Sequence, residues 1–133
     1  MVRSVVFEDY GIYFVIENDF SDEDLLSFKS EIERKGITHV KYILWDFSAA
    51  TSFSVSSDTI KKLAGEVGFF FRDNPGVKMA VVTKKVIVKG LTNLFGAYFE
   101  IAGGQDFEAE FFSSEEEARS WLSVVLATND DVQ

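Results

Sequence analysis

The stretch Val40-Lys41-Tyr42-Ile43-Leu44-Trp45-Asp46-Phe47 is short and almost continuously apolar, which is typical of a strand covered on both faces of a sheet. A segment rich in serine and threonine follows it, and apolar residues with helical spacing begin at Ile60. Strands that lead into helices in this way build α/β domains. The stretch therefore predicts the central strand of an α/β sheet.

Patterns on both sides of this strand extend the same architecture. Two β-branched and aromatic runs, Val5 to Glu8 and Ile12 to Glu17, are separated by Asp9-Tyr10-Gly11, which predicts an antiparallel hairpin. Later segments predict helices around Leu25 to Ile32, Ile60 to Phe71, Ile87 to Phe99 and Ala118 to Val125, with strands at Met79 to Thr83 and Phe107 to Phe112. The predicted order is β-β-α-β-α-β-α-β-α, a mixed, mostly parallel five-stranded sheet with its helices mainly on one face.

Length and charge limit the classes of function. A chain of 133 residues predicts a single domain over residues 1–128, followed by a polar, frayed tail at residues 129–133. The net charge of −9 opposes binding to nucleic acid. Cysteine is absent and no apolar run reaches membrane-spanning length, so we expect a cytoplasmic protein with no metal, no cofactor and no membrane span.

Alternation along the strands divides their side chains between two faces of the sheet. The wholly apolar set is predicted to face the helices: Ile12, Phe14, Ile16, Ala80, Val82, Phe107, Ala109 and Phe111. The mixed set is predicted to lie on the outer face: Tyr13, Val15, Glu17, Lys41, Ile43, Trp45, Met79, Val81, Thr83, Glu108, Glu110 and Phe112. Such a surface, with Tyr13, Ile43 and Trp45, is suited to a homodimer or another partner. Coverage of this face by a terminal segment is an alternative of equal weight.

Hydroxyl side chains crowd the segment that follows the central strand. The residues of this candidate partner-binding or phosphorylation segment are Asp46, Ser48, Thr51, Ser54, Ser56, Ser57 and Asp58. Ligands of open α/β sheets bind beyond the carboxyl ends of the parallel strands, where this segment lies. The simpler interpretation is that Ser56 or Ser57 caps the next helix, and that Asp58 stabilises its positive end.

Asp46-Phe47-Ser48, followed after a short spacer by Ser54-Val55-Ser56-Ser57, resembles a motif of the STAS domains, typified by the SpoIIAA-like anti-sigma factor antagonists. That motif reads Asp-Leu-Ser, then a short spacer, then Asp-Ser-Ser-Gly. In this chain the Asp and the Gly of its second part are replaced by other residues. The resemblance covers nearly the whole chain by element order, and the ending Phe111 to Leu122 is similar to divergent bacterial members. It implies a SpoIIAA-like fold, a non-enzymatic regulatory module that binds proteins, and a phosphorylated serine at Ser56 or, with the alignment shifted by one, at Ser57.

The aromatic content supports a second kind of binding. The chain has 14 phenylalanines, and the candidates for an apolar pocket are Phe69, Phe70, Phe95, Tyr98 and Phe99. Such a pocket would take a lipid or another apolar small molecule, whereas an ordinary overfilled core is the favoured alternative. Lys84, Lys85 and Lys89 surround the start of the following helix and are candidates to hold an anion, although solvated lysines are the commoner arrangement.

No catalytic constellation is visible in the sequence. His39 is the only histidine, and most carboxylates fall in the first turns of predicted helices, where the helix dipole explains them. Gly65 and Gly68 lie inside a predicted helix and not in a phosphate-binding loop after a strand. We therefore predict a binding function and no enzyme activity.

Overall fold

The computed structural model describes residues 1–35, 39–104 and 107–131. Its strands are β1 (Val2–Phe7), β2 (Gly11–Phe20), β3 (Tyr42–Phe53), β4 (Lys78–Val82) and β5 (Ala109–Phe112). Its helices are α1 (Asp22–Lys35), α2 (Ser57–Glu66), α3 (Gly68–Asp73), α4 (Val86–Ile101) and α5 (Glu115–Asp131). The element order follows the prediction, except that the single helix predicted from Ile60 to Phe71 is divided into α2 and α3.

The division of this helix falls at Val67. Its backbone has φ −94° and ψ 8°, and its N–H closes α2 by donating to the Leu63 carbonyl at 3.0 Å. Gly65 and Gly68 stand on either side of Val67. Each glycine lowers helix stability by about 1 kcal/mol relative to alanine, which favours a break at this point.

The five strands form one sheet in the order of the chain, β1-β2-β3-β4-β5. β1 is antiparallel to β2, and the other neighbouring pairs are parallel. The Glu8 N–H donates to the Gly11 carbonyl at 2.8 Å and closes the hairpin turn. Gly11 packs against the Tyr42 ring, which leaves no room for a Cβ atom. The predicted mixed, mostly parallel sheet is confirmed.

The inner face of the sheet carries the main aromatic core under α1 to α4. The register places Phe14 beside Trp45 and Trp45 beside Val81, so these side chains share one face. The Phe14 and Trp45 rings stack with centroids 4.4 Å apart. Residues that complete this core include Ile12, Phe28, Ile43, Leu63, Phe70, Met79 and Val88. The assignment of Ile43, Trp45, Met79 and Val81 to the outer face was therefore wrong, because a strand that is apolar in both phases carries no signal for its orientation.

Helix α5 covers the outer face of the sheet. Its Ala118 and Leu122 pack on Leu44, Ala80 and Val82. Ala80 and Val82 were predicted to face the other helices. That prediction was wrong, because both side chains lie under α5. The handedness rule that places a helix on one face applies to helices between two parallel strands, and no described strand follows α5. Coverage by a terminal segment is thus the correct alternative, while helices α1 to α4 share the inner face.

The proposed dimer surface on the outer face does not exist in the predicted form. Ile43 is 0% and Trp45 6% exposed, because both side chains belong to the core under the helices. Tyr13 does lie on the outer face, where it packs at the edge of the cluster under α5. The homodimer prediction built on these three residues was wrong.

The ends of several elements differ from the predictions. β3 continues to Phe53 because β2 extends to Phe20 and pairs with it, with register irregularities on both sides of Asn18. Much of the predicted loop is therefore a strand. β5 begins at Ala109 and not at Phe107. Helix α5 runs to Asp131, whereas residues 132–133 of the predicted tail lie outside the described residues, and the domain boundary at residue 128 stays a prediction.

Candidate binding site at the carboxyl edge of the sheet

The segment after the central strand forms a two-stranded ribbon with β2. The pairing of β3 with β4 ends at Asp46 and Val82, whereas its pairing with β2 continues to Phe53. Within the ribbon Ala50 is buried, and Ser48 and Thr51 are exposed. Of the predicted hydroxyl side chains, those of Ser48 and Thr51 are therefore displayed on the part of β3 that extends, together with β2, beyond the rest of the sheet.

Asp46 lies at the base of this ribbon and is almost fully buried. Its carboxylate accepts hydrogen bonds from the Ser48 backbone N–H at 2.9 Å and from the Ser48 hydroxyl at 2.5 Å. The Tyr13 hydroxyl lies 3.4 Å from the second oxygen of the same carboxylate. Asp46 thus fixes the direction in which the chain leaves the sheet.

Two aspartates hold the far end of the ribbon. The Asp19 carboxylate accepts from the hydroxyls of Ser52 at 2.8 Å and Ser54 at 2.6 Å. The hydrogen bond from Ser54 is the main cause that lowers the pKa of Asp19. The Ser56 backbone N–H donates to Asp22 at 2.7 Å and in the same way lowers the pKa of that carboxyl. Both carboxylates are therefore ionised at neutral pH, and this end of the ribbon is negatively charged.

Ser56 and Ser57 have different roles at the start of α2. The Ser56 hydroxyl accepts from the Thr59 N–H at 3.2 Å and is the N-cap, as the simpler interpretation predicted. It also donates toward Asp22 at 3.2 Å. Ser57 is the first residue of the helix, is exposed, and makes no hydrogen bond through its hydroxyl to a described residue. Asp58 is exposed in the first turn.

The start of α4 lies at the same edge of the sheet as the base of this ribbon, because β4 ends beside Asp46 and leads into α4 at Val86. Its first two residues are unusually exposed aliphatic side chains, with Val86 82% and Ile87 49% exposed. Lys84 and Lys85 precede them, are exposed, and form no ion pair with a described residue. Lys89 lies over the Phe111 ring at 5.8 Å, on the β5 side of the helix. The proposed anion contact at these three lysines stays a prediction.

An apolar cavity of about 70 Å³ lies between the inner face of the sheet and helices α1, α2 and α4. Of the five predicted pocket residues, only Phe95 lines it. Five further aromatic residues that line it were not predicted as pocket residues: Phe20, Phe28, Trp45, Phe47 and Phe107. Alternation along β3 predicts Trp45 and Phe47 as lining residues only when it is known which face of that strand meets the helices.

The remaining predicted pocket residues lie elsewhere. Phe70 is buried and packs edge-on against Phe28 at 6.1 Å, and Phe69 is partly buried against the same core. Phe99 lines a separate, more polar hollow of about 450 Å³ at the opposite end of the sheet. Tyr98 lies under the Lys61 ammonium at 6.0 Å. The predicted aromatic set thus serves several packing sites.

A polar cluster on the outer face was not predicted at all. The Arg119 guanidinium binds the Glu8 carboxylate at 3.1 Å and Glu115 at 2.6 Å. The Tyr13 hydroxyl donates to Glu115 at 2.9 Å, and the Tyr42 hydroxyl donates to Glu8. Burial, followed by the bond to Glu8, raises the pKa of Tyr42 to about 12. No sequence spacing reveals this cluster, because its members come from α5, two strands and the hairpin turn.

Comparison with known proteins gives consistent results. The family model described as SpoIIAA-like matches residues 12–123. A crystal structure of a DUF3478-family protein with a SpoIIAA-like fold, from Shewanella loihica PV-4, is similar with a TM-score of 0.57 and 14% identity over 90% of both chains. No curated protein matches the chain. None of the described helices is long and apolar enough to cross a membrane. Since the family model covers most of the chain and the sheet has the expected topology, this chain belongs to the SpoIIAA-like family.

Proposed function

We propose that this chain is a non-enzymatic cytoplasmic module that binds a protein partner at the carboxyl edge of its sheet. Domains of the SpoIIAA-like family are generally non-enzymatic regulatory domains that bind proteins. The observation that carries the proposal is the exposed pair Val86 and Ile87 at the same edge of the sheet as the hydroxyl-rich segment Ser48 to Asp58. Adjacent exposed aliphatic side chains with a polar rim are typical of protein interfaces.

The charges around this edge favour a protein over a membrane or a nucleic acid. Asp19, Asp22 and Asp58 give the ribbon side a negative charge, while Lys84 and Lys85 give the α4 side a positive one. The net charge of the chain is −9. An anionic lipid surface or a phosphate backbone would be repelled by most of this edge, whereas a folded partner with both signs of charge is matched by it.

We assign the modifiable hydroxyl of this edge to Ser57. A phosphate on Ser56 would replace the N-cap and would lie against the ionised Asp22. A phosphate on Ser57 would lie at the first residue of α2, where the positive end of the helix stabilises a negative charge. Of these two serines, Ser57 is also the one whose hydroxyl has no described partner.

Photo-crosslinking in the native host tests the proposed interface. A benzophenone amino acid placed at Thr51, Ser57 or Val86 should give one and the same adduct of increased mass. Ser30 on α1 and Ser123 on α5 are exposed control positions on other surfaces and should give none. Adducts of equal yield from all five positions, or none from the three edge positions, would refute a partner site here.

A second candidate function is the binding of a small apolar group in the core cavity. Among the described lining residues, side-chain hydrogen-bonding groups occur at Trp45 and Thr92, and the Thr92 hydroxyl donates to the Val88 carbonyl at 2.8 Å, so the lining offers a ligand few hydrogen bonds. The volume of about 70 Å³ is smaller than the cavity of about 150 Å³ that accepts benzene, which limits an unexpanded site to a few carbon atoms. Native mass spectrometry of gently purified protein should show a bound species, and Leu91→Trp should remove it. A clean unliganded mass in repeated preparations would exclude this candidate.

A further inference from the structure

The edge of β3 that faces β4 carries no paired strand beyond Asp46 in the described part of the chain. β4 ends at Val82, whereas β3 continues through residues 47–53 with β2 on its other side. This free edge is about 23 Å long. Backbone N–H and C=O groups along a strand edge are hydrogen-bonding groups available to an added strand.

The side chains of this free edge do not block such pairing. Proteins commonly protect strand edges with proline, lysine, inward charges or very short strands. Ser48 to Phe53 contains no proline and no charged residue, and Ser48, Ala49, Thr51 and Ser52 are small and exposed. The outer edges of the sheet differ: β1 carries Arg3 and a register irregularity, and β5 has only four residues.

The start of α4 flanks the space in which an added strand would run. Val86 and Ile87 present an apolar surface there, and Lys84 and Lys85 add two positive charges. A segment that pairs with β3 would place aliphatic side chains on the apolar pair. Acidic side chains next to them would meet the lysines, which form no ion pair with a described residue.

We propose that the partner docks by strand addition, as an extended segment with aliphatic and acidic residues that pairs its backbone with the free edge of β3 over Ala49 to Phe53, beyond Ser48, whose N–H is bound to Asp46. This inference rests on the proposed function and specifies how the same edge recognises its partner. Main-chain hydrogen bonds supply the affinity, and the start of α4 supplies the preference for side chains.

The test uses decapeptides selected from a random display library on the intact protein. Selected peptides should contain an acidic residue next to an aliphatic one, and their binding should slow hydrogen exchange at Ala49 to Phe53 at least tenfold. Two N-methylated forms of a selected peptide are then compared, one methylated at its odd-numbered residues and the other at its even-numbered residues. Their affinities for the protein should differ. One should lose at least tenfold in affinity, and the other should bind like the parent, because only alternate residues turn their N–H groups to one neighbour.

A variant of the protein provides a second readout. Thr51 has no register partner on β2, so Thr51→Pro removes an N–H group and adds bulk to the edge without removing a β2 pair. It should weaken peptide binding at least tenfold, whereas Thr51→Val should not. Failure to select a peptide, protection outside the free edge, or equal binding of both N-methylated peptides would overturn strand addition. If crosslinks still form at Thr51 and Val86 when strand addition fails these tests, the strand-addition mode is rejected and the proposed function, partner binding at this edge, is retained.

Discussion

The guanidinium of Arg119 binds the carboxylate of Glu8 at 3.1 Å, across 111 positions of sequence. Arg119 also binds Glu115 on its own helix at 2.6 Å and lies 4.8 Å from the centre of the Tyr13 ring. These contacts join helix α5 to the β1–β2 hairpin on the outer face of the sheet. They show that α5 is part of the fold and not an appendage to it.

Replacement of Arg119 should loosen this attachment. Arg119→Ala leaves Glu8 and Glu115 without their shared cation, and we expect the free energy of unfolding to fall by about 1–2 kcal/mol, since the group is partly solvated. The control is Arg34→Ala, which removes an exposed pair with Glu31 inside α1 and should cost less than about 0.5 kcal/mol. Urea denaturation measures both variants. Equal losses would show that the cluster does not hold α5.

The two serines at the start of α2 should respond differently to truncation. Ser56→Ala removes the hydroxyl that accepts the Thr59 N–H, and we expect a loss of about 1 kcal/mol in the free energy of unfolding. Ser57→Ala removes no described hydrogen bond and should change it by less than about 0.5 kcal/mol. Thermal unfolding by circular dichroism compares them. A larger effect at Ser57 would contradict the assignment of Ser56 as the cap.

Two glycines of α4 form a matched pair for alanine substitution. A Cβ atom at Gly96 would lie 2.7 Å from the Phe107 ring, whereas one at Gly90 would meet open space. Gly90→Ala should therefore raise the free energy of unfolding by about 0.5–1 kcal/mol through helix propensity alone. Gly96→Ala should lower it by about 1–3 kcal/mol, because the ring must move. Stabilisation of both variants in urea would disprove the close packing of Phe107 on α4.

Trp45 provides the sharpest test of the corrected sheet faces. Its ring stacks on Phe14 at 4.4 Å and on Phe47 at 5.8 Å, so Trp45→Ala should lower the free energy of unfolding by about 3–5 kcal/mol. Trp121→Ala, at a partly buried position against Phe112, should cost less. Urea denaturation followed by circular dichroism measures the two losses. A Trp45 variant with unchanged stability and an altered mass in light scattering would restore the outer-face interpretation.

The sequence predicted where the candidate site lies along the chain, but it did not predict the conformation of the residues there. Its position after Asp46 follows from local patterns, namely an apolar strand, a run of hydroxyl residues and a helix start capped by Ser56. The extension of β3 to Phe53 could not be predicted, because it depends on pairing with Glu17 to Phe20. The exposed Val86 was missed because an aliphatic residue at a helix start gives no signal of its own.

The sequence by itself determined the order of the elements, the presence of a mostly parallel sheet and the capping of α2, since each depends on spacing within a few residues. Only the tertiary structure decided which faces of β3 and β4 meet the helices and which face α5 covers. The physical reason lies in the strands themselves: β3 and β4 are apolar on both sides, so either orientation buries hydrophobic surface. The orientation is decided by pairing with β2, whose side-chain pattern alternates between the two faces. Its register places Trp45 in the aromatic core and Leu44 under α5.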